Sequence, residues 1–212
     1  MIKKNLRTII ATALITLSPI VIGLILWDKL PAEIATHFGT NGIPDGYSSK
    51  AFAVFGLPFV MLAIHLLCVL ATRLDPKHSN ITDRNFKLVL WIAPLLSVIL
   101  SVLCFAYSIN NTVPVVTVLI VFMGVLFIVT GNLMPKVKQN YSIGIKIPPT
   151  LHDKDNWYKT HRFAGKIWVM GGVAICLTAV LENIFVFMAI TLVIVFAPMV
   201  YSYAIAHKSS KQ

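Results

Sequence analysis

Residues able to do chemistry are scarce in this chain, and they stand apart. His37 and Asp45 lie eight positions apart in a polar stretch, and His65 lies alone in an apolar run. A histidine and a carboxylate can ligate a metal, but a protein zinc site takes three or four ligands. Two ligands without a third favour hydrogen bonding to local backbone. An ionisable group within a membrane is a functional candidate by default. A proton relay through His65 would need a partner, however, and Asp28 and Glu182 stand only at the ends of apolar runs. A neutral His65 bonded to a neighbouring helix is the plainer reading. Cys68, Cys104 and Cys176 each fall inside an apolar run, with no CxxC pair and no His/Cys cluster. That pattern suits packing rather than zinc or disulfides. The sequence has no GxSxG, HExxH, paired carboxylates or phosphate loop. A protein that is not an enzyme, with no metal or cofactor, is therefore expected.

The elements that hold these residues are apolar helices. Of the 212 residues, 57% are hydrophobic and 12% charged, against roughly 45–50% and roughly 25% in a soluble domain. Mean hydropathy is +0.81. This excludes a soluble enzyme, a disordered chain and a disulfide-rich secreted module. Apolar runs at Thr8–Trp27, Ala51–Thr72, Leu88–Ile109 and Val113–Leu133 each suffice for one bilayer span of about 20 residues. The first is too long for a signal peptide and ends in Leu26-Trp27-Asp28, which reads as an uncleaved anchor. Residues 167–206 carry one charge, Glu182, yet would make about 60 Å of helix, twice a bilayer core. They must fold back at Glu182-Asn183. That leaves a short fifth span, Ile167–Leu181, lengthened by snorkelling of Arg162 and Lys166. Pro19, Pro58, Pro94 and Pro198 fall within spans, where packing is their expected role. The expected fold is an all-α integral membrane bundle of six transmembrane helices.

Of the eighteen lysines and arginines, sixteen fall on one side of a six-span arrangement and only Lys29 and Lys50 on the other. The positive-inside rule then puts both termini in the cytoplasm. It also accounts for the basic pI of 9.7, so direct nucleic-acid binding is not expected.

Two loops carry the remaining information. The outer loop, residues 28–50, alternates in a strand-like way at Ile34, Thr36 and Phe38. It carries turn signals at Asn41-Gly42 and at Pro44-Asp45-Gly46, and Ser48 or Ser49 can cap the next span. It is expected to be ordered and hairpin-like. The inner loop, residues 135–166, has seven basic and two acidic side chains up to Lys166 from Lys136. Pro135 ends the fourth span, and Gly144, Pro148 and Pro149 mark a turn-rich link. Thr150 and Asp153 have capping-box spacing, predicting a short interfacial helix before the fifth span. Trp157, Tyr158, His161 and Arg162 would share one face of it at headgroup level. This helix can anchor the loop to the membrane surface or dock a cytosolic partner, and the charge pattern favours the anchor.

These loops bring a family into view. The stretch LPAEIATHFGTNGIPDGYSSK resembles an N-terminal domain of unknown function. The stretch GNLMPKVKQNYSIGIKIPPTLHDKDNWYKTHRFAGK resembles the signature of the SdpI family of bacterial toxin-immunity membrane proteins. The residues that carry the second likeness include Asn132, Pro135, Asn140, Gly144, Lys146, Pro148, Thr150, Trp157, His161, Arg162 and Lys166. Pro149 stands where the family often has an aromatic residue, and Lys146 where arginine is common. The resemblance implies a two-span N-terminal region, residues 1–87, and a four-span C-terminal region, residues 88–212. It further implies a multi-pass protein of the bacterial cytoplasmic membrane that protects the cell from an SdpC-like toxin peptide. His37, Phe38, Asp45 and Tyr47 would then face the toxin. Toxin sensing by membrane sequestration of a cytosolic winged-helix autorepressor is also implied. The inner-loop residues of the signature, with Lys136, are its candidate surface. Membrane lipid is the other expected partner. A small transporter or exporter, or a ligand-free membrane stress protein, is the alternative.

Overall fold

In a computed structural model, which describes residues 1–181 and 183–209, nine elements follow one another. They are α1 (Ile2–Ile25), β1 (Glu33–Phe38), β2 (Pro44–Ser49), α2 (Leu57–Leu74), α3 (Asp83–Ile109), α4 (Val115–Leu133), α5 (Pro148–His152), α6 (Lys154–Leu181) and α7 (Ile184–Ser209). A π-helical turn, Phe52–Gly56, leads into α2. Among the described residues six helices, all but α5, are long and apolar enough to cross a membrane. The protein is a multi-pass membrane protein. The expected turn residue Glu182 lies outside the described residues, but Asn183 opens α7, its side-chain oxygen accepting the Phe185 and Val186 N–H groups at 3.0 and 3.2 Å.

The chain divides into two compact units. The first comprises residues 1–74 and 86–116, the second residues 75–85 and 117 onward. In the first unit, β1 and β2 form an antiparallel hairpin. Its inner side chains Ile34 and Ala35 are buried, Ile34 in one cluster with Leu30, Val54 and Phe105. Phe38 meets Tyr107 edge-to-face at 5.0 Å, and the Ala35 N–H donates to the Ser108 hydroxyl at 3.2 Å. The hairpin is thus fastened to the end of α3. Lys50 donates to the Trp27 carbonyl at 3.0 Å and lies over the Trp27 ring. Ser49 accepts the Phe52 N–H at 3.3 Å, as a cap should.

Polar side chains join the helices of this unit. Ser97 donates to the Thr16 carbonyl at 2.8 Å, and Thr12 meets His65 Nε2 at 3.2 Å. The Thr12 hydroxyl has two carbonyl acceptors in reach, Thr8 at 2.8 Å and Ile9 at 3.0 Å, and its single hydrogen serves one of them. His65 therefore donates from Nε2, and its Nδ1 lone pair has no partner. His65 is fully buried, a helix-to-helix bond as expected.

In the second unit, glycines let α4 and α6 approach closely. A Cβ at Gly124 would lie 2.7 Å from the Gly172 carbonyl, and one at Gly165 would lie 2.9 Å from the Gly131 carbonyl. Gly124 and Gly131 are seven residues apart on α4, as are Gly165 and Gly172 on the antiparallel α6. This is close packing through small residues, as membrane helices use it.

Three local expectations need correction. Pro44-Asp45-Gly46 is not a turn but lies in β2. The reversal is made by residues 39–43 instead, where Gly39 N–H bonds the Ile43 carbonyl at 2.9 Å and Gly42 takes a φ of 76°. Proline is tolerated because a two-stranded sheet has free edges. A short helix, α5, does precede the fifth span, but it ends at His152, and the span is not a 15-residue helix. Residues 154–181 form one continuous helix, since nothing between Trp157 and Leu181 removes a backbone donor. Finally, Asp153 does not complete a cap begun by Thr150. It caps α6 itself, accepting the Asp155 N–H at 2.8 Å and the Asn156 N–H at 3.2 Å. Thr150 belongs to the five-residue α5 and accepts the Ile147 N–H at 3.1 Å.

Candidate functional site

Two surfaces hold the residues singled out by sequence. On the hairpin, His37 Nδ1 pairs with the Asp45 carboxylate across the strands. They do not each satisfy local backbone, as expected; the strand register brings them face to face. A bulge between Ala35 and Phe38 and the absence of a side chain at Gly46 make this possible, since a Cβ there would lie 2.9 Å from that of His37. Both partners are exposed, with side-chain exposures of 75% and 56%, so the pair is worth about 0–1 kcal/mol. Tyr47 is also exposed, whereas Phe38 is half-buried against Tyr107. His37, Phe38 and Asp45 line an open hollow of about 620 Å³ at the hairpin tip. Among the described residues no three His, Cys, Asp or Glu side chains come together as a metal group.

The other surface belongs to the second unit, and it is built around two buried amide side chains. Asn140 is 1% exposed. Its Oδ1 accepts the Ser142 and Ile143 N–H groups at 2.9 and 2.6 Å, and its Nδ2 donates to the Lys138 and Ile143 carbonyls. One side chain thereby fixes the backbone of residues 138–143. Gln139 donates from Nε2 to the Thr150 and Leu151 carbonyls, both at 2.9 Å, and accepts Lys77 Nζ at 2.6 Å. Its carbonyl accepts Asn80 Nδ2 at 2.7 Å.

Asp75 anchors the other side of this loop. Its Oδ1 accepts the Lys77 N–H at 2.7 Å, and its Oδ2 accepts the Tyr141 N–H at 2.8 Å and the Ser142 hydroxyl at 2.7 Å. Burial alone would raise the Asp75 pKa. The bond from the Ser142 hydroxyl and those from three backbone N–H groups outweigh it and hold the carboxyl below its ordinary value.

The loop closes on α6 through Trp157 and His161. Trp157 Nε1 donates to the Val137 carbonyl at 2.8 Å. His161 Nδ1 donates to the Trp157 carbonyl at 2.8 Å, and its Nε2 accepts the Ile145 N–H at 3.0 Å. The rings stack at 4.0 Å. Gly144 makes room for them: its φ is 117°, and a Cβ there would overlap His161 Nε2. One turn earlier, Asn156 and Ser202 bond each other across α6 and α7, with hydroxyl to amide oxygen at 2.6 Å and amide to carbonyl at 2.8 Å.

The expected common face of Trp157, Tyr158, His161 and Arg162 is therefore split. Trp157 and His161 are 3% and 1% exposed, while Tyr158 and Arg162 point outward and bond each other at 3.1 Å. The pairs 157/161 and 158/162 are each one turn long, but they are offset by about 100° around the helix. Of the remaining signature residues, Thr150 is buried like Asn140, Gly144 is half-buried against the His161 ring, and the Pro135 ring packs against Gly165. Asn132, Lys146, Pro148 and Lys166 are exposed, as is Lys136, which stands beside the signature residues. Sequence reasoning missed Asp75, Gln139, Asn156 and Ser202. A signal existed for Asp75, the lone acid in the basic segment from Arg73 to Lys77 and followed by Pro76.

Residues 136–202, which hold the loop, α5, α6 and most of α7, match the SdpI/YfhL protein family. Over those residues the chain is similar to that family. Residues 14–62, which include the hairpin, match a domain of unknown function, DUF1648. Each match falls within one compact unit. A Bacillus subtilis (strain 168) protein described as immunity protein SdpI is 27% identical over 213 residues, covering 99% of this chain and 97% of the relative. No solved structure matches the chain.

Proposed function

We propose that this protein confers immunity on a bacterial cell against an SdpC-like toxin peptide, acting in the cytoplasmic membrane with both termini inside. The observation that carries this reading is the end-to-end similarity to an immunity protein, 99% of one chain against 97% of the other. The hairpin supports a toxin-facing role. It is a small packed hairpin with an exposed Tyr47 and the His37–Asp45 pair beside an open hollow. The basic distribution supports placing it outside.

The test is survival of a sensitive host under the peptide, with and without this protein. Full protection by the wild type and loss on deletion of residues 39–43 are the expected results. No protection from well-expressed wild-type protein removes the reading for that toxin. His37→Ala is expected to weaken protection less than the deletion, because an exposed pair holds little energy.

A second reading is signalling, in which the inner loop holds a winged-helix autorepressor at the membrane. One observation favours it: Arg162, Lys166 and Lys146 lie outside the hydrogen-bonded interior of the loop and stay exposed. A fluorescent repressor followed at the membrane in an Arg162→Ala strain tests it. Selective loss of recruitment with protection intact supports signalling. Unchanged recruitment assigns that face to lipid anchoring.

A further inference from the structure

Where α4 ends and α6 begins, the second unit holds an open groove of about 510 Å³. Its walls include Asn80, Trp157 and Tyr158, and three lysines, Lys136, Lys138 and Lys154, stand along it. All three lysines are exposed, and among the described residues no carboxylate pairs with them. The floor is therefore aromatic and amide, and the rim is cationic and unneutralised.

Depth along the helices says what such a groove would meet. The 19 residues of α4 make about 28 Å of helix, close to the thickness of a bilayer core, and Lys136 follows three residues later. Counting about 20 residues back from Leu181, the end of α6, reaches Arg162. Tyr158 then lies about 6 Å beyond the hydrocarbon, within a headgroup layer about 5–8 Å deep. The Lys154 backbone lies about 12 Å beyond it and reaches the layer only by the length of its side chain. Both walls of the groove reach headgroup level by independent counts. Tyr158 presents a phenol where tyrosines favour the interface.

We infer that this groove binds the phosphate headgroup of an anionic phospholipid, with Lys136, Lys138 and Lys154 as its cationic contacts. A basic recess at the membrane surface is the kind of site that selects anionic headgroups over zwitterionic ones. The assignment stands independently of toxin immunity, because it uses only the loop and its helices.

The test uses the full chain in detergent micelles, with lipid adducts counted by native mass spectrometry. The probes are dioleoylphosphatidylglycerol, dioleoylphosphatidylcholine and inorganic phosphate. The wild type is expected to retain phosphatidylglycerol at least about tenfold more tightly than phosphatidylcholine. Each lysine contributes about fivefold at a membrane surface. Lys136→Gln/Lys138→Gln/Lys154→Gln should thus lower retention on the order of a hundredfold. Lys3→Gln/Arg7→Gln/Lys87→Gln removes the same charge elsewhere and should change it by less than about twofold. Equal retention of the two lipids overturns the inference, as does an equal loss in the control variant. Displacement of phosphatidylglycerol by millimolar phosphate identifies a free-phosphate site and also overturns it. Lys154→Gln alone keeps the test sharp if the triple variant misfolds. It removes a cation from the first turn of α6, where the helix dipole disfavours one, and should still lose about fivefold.

Discussion

Replacing Gly144 with alanine tests the loop architecture at its tightest point. The residue holds a φ of 117°, and its missing Cβ is the space that His161 Nε2 occupies. Alanine there meets two separate penalties. Holding an L-residue in that backbone region costs about 1–3 kcal/mol. Pushing the imidazole aside also breaks the 3.0 Å bond from the Ile145 N–H, and Ile145 is buried. A buried donor left bare costs a further 1–3 kcal/mol or so. The sum is about 2–6 kcal/mol, large for a single substitution. The assay is reversible unfolding in mixed micelles, run as a double-mutant cycle with His161→Ala. Truncating His161 removes the ring that clashes and leaves the Ile145 N–H bare in either background. Gly144→Ala should then cost only the backbone part, about 1–3 kcal/mol, and the coupling should be about 1–3 kcal/mol. Simple additivity would show that Gly144 is kept for reasons unrelated to His161, and would refute the reasoning.

Further outcomes follow from other contacts. Gly124→Ala should destabilise by about 1–3 kcal/mol, and Cys176→Ala should not rescue it. Removing the sulfur still leaves the Gly172 carbonyl 2.7 Å from the new Cβ, a contact that only helix separation relieves. Chemical unfolding of the pair of variants decides this, and full rescue by Cys176→Ala contradicts it. Asp75 has a lowered folded pKa. Its contribution to stability is therefore present above the ordinary carboxylate range and lost as pH falls through the lowered value. Asp75→Asn should be less stable than wild type at pH 7, with a smaller difference near pH 3; a gap that widens on acidification argues against it. Single cysteines at Thr40 and Ser79, both exposed, should report opposite sides of the membrane when a membrane-impermeant thiol reagent is applied to intact cells. With Cys68, Cys104 and Cys176 removed, labelling at Ser79 but not Thr40 contradicts the proposed orientation.

Six spans were legible because the apolar runs match bilayer thickness and composition alone excludes a soluble globule. The hairpin was legible through the alternation at Ile34, Thr36 and Phe38, and its turn through Asn41-Gly42. Pro44-Asp45-Gly46 misled because those residues are turn formers, while residues 39–43 already reverse the chain and leave Pro44 and Gly46 to pair with Phe38 and His37. The extent of α6 was hidden for a related reason. Polar residues 154–166 look unlike a span, yet helix continuity depends on backbone donors rather than hydropathy. The glycine pairing between α4 and α6 was written as two seven-residue spacings, but only their antiparallel alignment gives those spacings meaning. Asp75, Gln139 and Asn156 were illegible as a site because their partners lie up to 67 positions away.

That distribution changes how substitutions in the SdpI-like signature should be interpreted. Asn140, Gly144, Thr150, Trp157 and His161 form the interior of the loop, each bonded or fitted to its neighbours. Truncating any of the four side chains leaves a bare donor or acceptor worth about 1–3 kcal/mol, and a side chain at Gly144 displaces His161, so loss of function there reports loss of structure first. Recognition has to be sought at side chains that leave the loop intact when cut back, namely Lys136, Lys146, Arg162 and Lys166. Lys146 donates to the Ser142 carbonyl at 3.0 Å and Arg162 to the Tyr158 hydroxyl at 3.1 Å, but both bonds are exposed and water can replace them. Alanine at these four positions should leave unfolding within about 0.5 kcal/mol of wild type. Any phenotype they produce then belongs to a partner or to lipid, and the groove lysines 138 and 154, which are not in the signature, separate those two.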